Sequence, residues 1–222
     1  MNNTSCAMSG AVIDWKLTGE DIERESFRRI EAEMGAHAFA PDEWRVARRL
    51  IHATADFSLA DDLVFKNDPI TAGLNALRNG ASIVCDANMI KAGLSLARLR
   101  QWNSGYARES VYCHVGDADV ATLAQERHCA RSLVALEKAR PLLNGAIILI
   151  GNAPLALARL AQWVAEGGVR PALVIGMPVG FVHVVESKNM ILATGVPQIV
   201  LKGRRGGSPL AVATLHGVME MS

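Results

Sequence analysis

The chain has 222 residues, of which half are hydrophobic and a fifth are charged. This composition is typical of a folded globular protein and excludes an intrinsically disordered one. Lysine and arginine number 23 against 22 aspartate and glutamate residues, which gives a net charge of +1. A protein that binds nucleic acid through its phosphates usually has a larger basic excess, so the composition disfavours a nucleic-acid partner.

The pattern of apolar residues and cysteines predicts a cytoplasmic protein without a membrane partner. Residues 1–10 lack the basic start and the continuous apolar stretch of a signal peptide. The most apolar segment, residues 171–185, is interrupted by glycine and proline and is too short to span a bilayer. The four cysteines are scattered, which favours reduced thiols. We expect one domain over residues 1–222, with residues 1–16 as a loosely ordered N-terminal extension.

Helical patterns occupy most of the first half of the chain. Thr18 and Asp21 resemble a capping box, so a first helix is predicted to begin there. Pro41, followed by two acidic residues, begins a second helix that is predicted to run to about Phe57. Further helices are predicted over residues 69–78, 89–98, 118–126, 129–139, 155–165 and 209–219.

Short apolar runs alternate with these helices and predict five strands. The runs cover residues 81–85, 110–115, 146–150, 173–175 and 198–201. Such alternation is typical of an α/β fold in which helices cover both faces of a mainly parallel sheet. Three of the runs lead into glycine-rich loops, at residues 151–154, 176–180 and 203–208. Because ligands bind at the carboxyl ends of such strands, these loops predict a site for carboxylates or phosphates.

His52 is the strongest candidate for acid–base chemistry. It lies on the second predicted helix, four residues after Arg48 and four before Asp56. On a helix both neighbours are within reach, and they would shift the pKa of the imidazole in opposite directions. The side chain could then exchange a proton near neutral pH. The alternative is a histidine that makes ordinary structural hydrogen bonds, which is also our interpretation of His216.

The other polar motifs give weaker signals. Cys113-His114 and His128-Cys129 are adjacent pairs without the usual spacing of zinc ligands, so no metal site is predicted. Nucleotide-binding glycine motifs are missing from the sequence, which disfavours a nucleotide cofactor.

Three further polar residues are candidates for contact with a ligand. Ser187 and Lys188 are adjacent on a predicted helix, where side chains diverge, so we expect donors to a ligand anion and not a serine–lysine catalytic pair. Asp86 follows a predicted strand and either orients a polar ligand or caps the following helix.

Taken together, several motifs make the chain resemble the precorrin-8X methylmutase family, which is also known in a cobalt-precorrin-8 form. They occur in the family's order over residues 17–215. The motifs are IERESF (22–27), LIHA (50–53), VCDANM (84–89), IGNAP (150–154), VIGMPVGFV (174–182), ESK (186–188) and GRRGGS (203–208). Each motif is modest alone, but the ordered series is specific.

The resemblance implies a three-layer α/β/α, Rossmann-like fold and a homodimer with the active site near its interface. It implies an isomerase of cobalamin biosynthesis that needs no cofactor. This enzyme moves a methyl group from carbon 11 to carbon 12 of a tetrapyrrole and gives hydrogenobyrinate. The family's catalytic histidine matches His52, which would act as the proton donor, and its substrate-contacting serine matches Ser26.

The substrate carries many carboxylates, and polar side chains and backbone amides in and around the matching motifs are predicted to contact it. These residues are Ser26, Asp86, Arg131, Gly151, Asn152, Ser187, Lys188, Arg204, Arg205, Gly206 and Gly207. Leu155, Ala130 and His216 depart from the family's pattern, which puts details of substrate binding in question.

Three alternatives to the metal-free methylmutase stay open. One is a non-catalytic tetrapyrrole carrier, another is the cobalt-precorrin-8 variant of the enzyme, and the third is an unrelated Rossmann-like oxidoreductase. The missing glycine motif already disfavours the oxidoreductase.

Overall fold

The computed structural model of the protein describes residues 14–220. Most of the predicted N-terminal extension, residues 1–16, therefore lies outside the described residues. Within the described range the helices are α1 (Gly19–Met34), α2 (Pro41–Thr54), α3 (Pro69–Arg78), α4 (Asn88–Gly93), α5 (Leu96–Trp102), α6 (Ala118–Glu126), α7 (Arg131–Ala139), α8 (Pro154–Ala165), α9 (Val184–Leu192) and α10 (Ser208–Met219). The strands are β1 (Leu63–Lys66), β2 (Ile83–Cys85), β3 (Val111–Tyr112), β4 (Ile147–Ile150), β5 (Leu173–Gly176) and β6 (Gln198–Leu201).

The strands form one sheet in the order β1-β6-β5-β4-β2-β3. All neighbouring pairs are parallel except β1 and β6, which are antiparallel with Leu63 opposite Leu201. The predicted class, a three-layer α/β fold with a mainly parallel sheet, is confirmed. Because β2 to β6 are parallel, the loops that follow them meet at one edge, which we call the carboxyl edge.

The prediction of five strands is wrong, since the described chain has six. The missed strand, β1, is four residues long, and only its first residue is fully buried. A short, half-buried edge strand has little apolar periodicity of its own. It forms because β6, far along the chain, supplies its hydrogen-bond partners.

Two helix predictions also need correction. The second helix ends at Thr54 instead of Phe57, because Ala55 adopts a left-handed backbone conformation. Asp56 then caps a short 3-10 helix, Phe57–Asp62, by accepting a hydrogen bond from the amide of Ser58. The helix predicted over residues 89–98 is two helices, α4 and α5, and Ser95 caps the second of them.

Alternate residues of each strand enter two apolar cores, one on each face of the sheet. On β4, Ile147 and Leu149 pack toward α2, α3 and α10, while Ile148 and Ile150 pack toward α7 and α8. All four side chains are buried, and the burial of each contributes about 1.5–3 kcal/mol. The double-sided burial explains why these strands read as continuous apolar runs. Within the described range, no helix is long and apolar enough to cross a membrane.

Candidate active site

The loop after β4 is held from inside by the carboxylate of Asp86, at the end of β2. The Asp86 oxygens accept hydrogen bonds from the amides of Gly151, Asn152 and Ala153 at 2.9, 2.8 and 2.6 Å. Burial raises the pKa of Asp86, and the three amide donors act against that shift. Asp86 therefore fixes the loop that leads into α8, and it does not cap the helix that follows it in sequence.

The bonds to Asp86 change the expectation for Gly151 and Asn152. Their amides were predicted to bind ligand carboxylates, but they already donate to Asp86. The side chain of Asn152 stays exposed at the carboxyl edge. Gly151 also allows a close approach between loops, because a Cβ atom there would lie 2.7 Å from the Cα of Ser208.

The loop after β6 packs directly onto the loop after β5. The amide of Gly207 donates to the carbonyl of Met177 at 2.7 Å, and the amide of Gly180 donates to the carbonyl of Arg204 at 3.1 Å. At Gly206 a Cβ atom would lie 2.6 Å from the carbonyl oxygen of Pro178. The glycines at 206 and 207, expected as ligand contacts, thus serve the packing of the loops.

Lys188 and Ser187 are buried under these loops, each with 1% of its surface exposed. The ammonium of Lys188 donates to the carbonyls of Gly203 at 2.9 Å and Arg205 at 2.7 Å. Burial lowers the pKa of Lys188 to about 8, and the negative charge of Asp62 acts in the opposite direction. The hydroxyl of Ser187 donates to the carbonyl of Val184. This geometry disfavours the predicted direct contact of either side chain with a ligand.

Arg205 turns away from the carboxyl edge and binds the segment after α2. Its guanidinium donates to the carboxylates of Asp56 and Asp62, each at 2.7 Å, and to the hydroxyl and carbonyl of Ser58 at 2.7 and 2.9 Å. These contacts occupy both terminal nitrogens. The expected contact between Arg205 and substrate is therefore also disfavoured.

Two of the arginines that were predicted to bind substrate remain exposed at the carboxyl edge. Arg204 is exposed, and its guanidinium lies 5.5 Å from the ring centre of Phe181, which is 84% exposed. Arg131 is exposed at the first turn of α7. Both can present a charged, bidentate donor to a carboxylate.

His52 and Ser26 line the same open cleft, of about 400 Å³, between α1 and α2. The other lining residues are Arg29, Ile30, Glu33, Ile51, Ala55 and Phe57. The His52 side chain is half-buried, and the Phe27 ring meets it edge-on with 5.3 Å between ring centres. The structure thus brings together the two residues that the sequence assigned to catalysis and substrate contact.

Arg48 and Asp56, the expected neighbours of His52, have other partners in the structure. Arg48 pairs with Glu31 and lies over the ring of Phe27, with 4.1 Å to the ring centre. Asp56 pairs with Arg205 instead of His52. Each of the two neighbours is therefore held by another partner and not by the imidazole.

A charged cluster that the sequence did not reveal holds α1 against α2. Arg49 pairs with Glu23 at 2.7 Å and with Glu220, and Arg98 lies 3.6 Å from Glu220. Burial opposes ionisation of Glu23, but the hydrogen bond and charge of Arg49 hold its pKa below its usual range. Glu23 is one turn before Ser26, and Arg49 is one turn before His52. The members lie on separate helices, so no local spacing could have identified them.

The first of the two cysteine–histidine pairs, Cys113-His114, contacts neighbouring polar groups instead of a shared metal position. The Nδ1 of His114 lies 2.9 Å from a carboxylate oxygen of Asp117. The Cys85 thiol donates to the carbonyl of Tyr112 at 3.3 Å. The neighbouring Cys113 thiol raises the pKa of Cys85, and Cys85 in turn lowers the pKa of Cys113. Over residues 14–220, no group of three or more histidine, cysteine or acidic side chains is placed to hold a metal ion.

His216, which departs from the family's pattern, has the structural role expected of it. Its Nε2 accepts a hydrogen bond from the amide of Ser95 at 3.2 Å. Burial, followed by the charges of Arg98 and Arg49, lowers the pKa of His216 to about 4. The imidazole is therefore neutral at neutral pH, as an acceptor must be.

The sheet order and the covering helices define the chain as a three-layer α/β protein. The family profile described as precorrin-8X methylmutase matches residues 21–221. The chain is 42% identical to a cobalt-precorrin-8 methylmutase of Leptospira interrogans, with 92% of this chain and 94% of that protein covered. It is 41% identical to a precorrin-8X methylmutase of Pseudomonas aeruginosa, with 93% and 98% covered.

A solved structure supports the same relationship. The crystal structure of a precorrin-8X methylmutase from Thermus thermophilus superposes with a TM-score of 0.81 at 43% identity, covering 90% of this chain and 96% of that one. The chain therefore belongs to the precorrin-8X methylmutase family. It is an isomerase of the kind that catalyses an intramolecular methyl shift.

Gly206→Ala is expected to destabilise the protein, because the new methyl group would collide with the backbone of the loop after β5. Overpacking of this kind costs about 1–3 kcal/mol. Thermal unfolding should show a melting temperature about 3–10 °C lower. Gly195→Ala is the matched control, since a Cβ atom there meets nothing within 4 Å. Equal melting temperatures for the two variants would contradict the close packing of the loops.

His216→Asn is expected to reduce the acid sensitivity of the fold. Between pH 6.5 and 4 the unfolded chain binds a proton at His216 that the folded chain does not. Wild-type stability therefore falls as the pH drops through that window. Urea unfolding at pH 7 and pH 4.5 should show a smaller loss of unfolding free energy for the variant. An identical loss would show that His216 titrates normally in the folded protein.

Proposed function

We propose that the chain converts precorrin-8X to hydrogenobyrinate by moving a methyl group from carbon 11 to carbon 12, with His52 as the proton donor. The observation that carries the proposal is the shared cleft of His52 and Ser26 in a member of this family. The cleft is open to solvent on the described chain and leaves the imidazole accessible to a large ligand.

The reaction breaks one carbon–carbon bond and forms another, without gain or loss of atoms. Protonation of the conjugated ring by the His52 imidazolium withdraws electron density and lowers the barrier to migration. After the methyl group has moved, the proton returns to the imidazole, so His52 is regenerated. The Ser26 hydroxyl hydrogen-bonds the substrate in the same cleft and helps to hold the ring in position.

The carboxylates on the rim of the substrate require cationic or amide donors outside the cleft. Arg131, Arg204 and the side chain of Asn152 remain exposed at the carboxyl edge and are the donors we propose. The Phe181 ring beside Arg204 offers an apolar face to the flat macrocycle. Asp86, Ser187 and Lys188 support these loops from inside instead of contacting the substrate.

We further propose a homodimer, as the resemblance implies, and a cytoplasmic location. The loop after β5 exposes Phe181, Val182 and Val179 to solvent in the single chain, with Val182 69% exposed. A contiguous apolar surface of this kind is typical of an interface.

Cobalt-precorrin-8 is a second candidate substrate. The Leptospira and Pseudomonas relatives bear the two different substrate names at 42% and 41% identity, so similarity favours neither. In that case the cobalt ion would enter as part of the substrate, and His52 would perform the same proton transfer.

His52→Ala is expected to lower kcat by about 10²–10⁴-fold, because the variant lacks the proton donor. The dissociation constant for the substrate should change little, since the rim donors are intact. The measurement is an anaerobic incubation with precorrin-8X, and separately with cobalt-precorrin-8, followed by absorption spectra over time. His37→Ala is the control, as His37 is exposed and stacks on Trp44 outside this cleft.

Each other outcome selects a different interpretation. Binding without any spectral change by the wild-type protein would indicate a tetrapyrrole carrier. A parallel loss of binding and turnover in His52→Ala would assign His52 a contact role instead of acid catalysis.

A further inference from the structure

Arg205 makes contacts that neither family membership nor the proposed reaction explains. It follows the exposed Arg204 in a loop of the carboxyl edge, yet its side chain leaves that edge and binds residues 56–62. This segment directly follows α2, the helix that carries His52.

The backbone of Arg205 is fixed independently of its side chain. The ammonium of the buried Lys188 donates to the Arg205 carbonyl at 2.7 Å and to the Gly203 carbonyl at 2.9 Å. Lys188 itself is on α9, whose inner face packs in the core. The guanidinium therefore projects from an anchored point, and its direction is set by the fold.

The partners of Arg205 alternate with residues that form the wall of the His52 cleft. Ala55 and Phe57 line the cleft with His52, while Asp56 and Ser58 bind the guanidinium. A shift of this segment would move the residues that line the cleft together with the residues that bind Arg205. Ion pairs of this exposure contribute little to stability, so positioning is the larger effect of the contact.

We propose that Arg205 is a positioning residue, which ties the glycine-rich loop after β6 to residues 55–58 and so sets the wall of the His52 cleft. This inference rests on the proposed function where it concerns catalysis. The physical link between the loop and the segment does not depend on the identity of the substrate.

A variant of Asp56 distinguishes a positioning role of Arg205 from direct binding of the substrate by Arg205. A carboxylate repels an anionic substrate, so a contact role for Arg205 predicts no loss when Asp56 is neutralised. A positioning role predicts that Asp56→Asn impairs the same kinetic constant as Arg205→Met. Asparagine keeps an oxygen to accept the hydrogen bond from the Ser58 amide, so the cap of the 3-10 helix is preserved.

The experiment compares Arg205→Met, Asp56→Asn and their double variant with Lys202→Met as the control. Lys202 is an exposed cation on the same loop. We expect Arg205→Met to lower kcat by about 10–100-fold with KM within about threefold, because misplacement affects the chemical step. Asp56→Asn should lower kcat in the same direction, and the double variant should be no worse than Arg205→Met alone. Arg205→Lys should recover part of the loss, and Lys202→Met should behave as wild type.

Hydrogen–deuterium exchange tests the link without any turnover. Amides of residues 55–62 should exchange faster in Arg205→Met than in Lys202→Met, while the strands stay protected. Unchanged exchange at those residues would overturn the proposal. The proposal would also be overturned if Arg205→Met raised KM at constant kcat while Asp56→Asn kept wild-type kinetics. Failure of the wild-type protein to convert either precorrin would instead refute the proposed function, and exchange would still decide the positioning role.

Discussion

Every buried charge at the carboxyl edge of the sheet must find a partner, and this constraint shapes the whole site. A carboxylate or ammonium removed from water is costly unless hydrogen bonds replace its hydration. Asp86 meets the requirement with three backbone amides, and Lys188 meets it with two backbone carbonyls. The two side chains have opposite charges and stabilise different loops by the same principle.

These internal bonds leave a smaller set of groups for a ligand than the polar motifs suggest. Gly151 and Asn152 give their amides to Asp86, and Arg205 gives its guanidinium to the segment after α2. Arg204 and Arg131 remain exposed beside them. The division is physically reasonable, because rigid loops hold exposed donors in place and lower the entropic cost of binding.

The cleft between α1 and α2 depends on a second group of paired charges. Arg49 and Glu23 join the two helices, and Glu220 at the end of α10 completes the pairing. The Phe27 ring fills the space between this cluster and His52, in contact with Arg48 and the imidazole. Loss of one partner would leave a buried charge uncompensated, which is more damaging than loss of an exposed pair. The cluster is therefore as important for the cleft as the residues that line it.

The sequence by itself determined the elements whose signals are local. Thr18 with Asp21 identified the start of α1, Pro41 identified the start of α2, and continuous apolar runs identified the doubly covered strands. The ordered motifs also indicated the family and singled out His52 and Ser26. Local signals suffice here because caps, proline and strand burial act over a few neighbouring residues.

Only the tertiary structure decided which polar residues face inward. Arg205 and Asp56 are far apart in sequence, and so are Asp86 and Gly151, so no spacing rule relates them. Strand β1 escaped detection for the same reason, since its partner β6 lies far along the chain. The direction of a polar side chain depends on which acceptors the fold brings within about 3 Å. Long-range packing determines which acceptors these are, so the direction of the side chain cannot be inferred from the residue type alone.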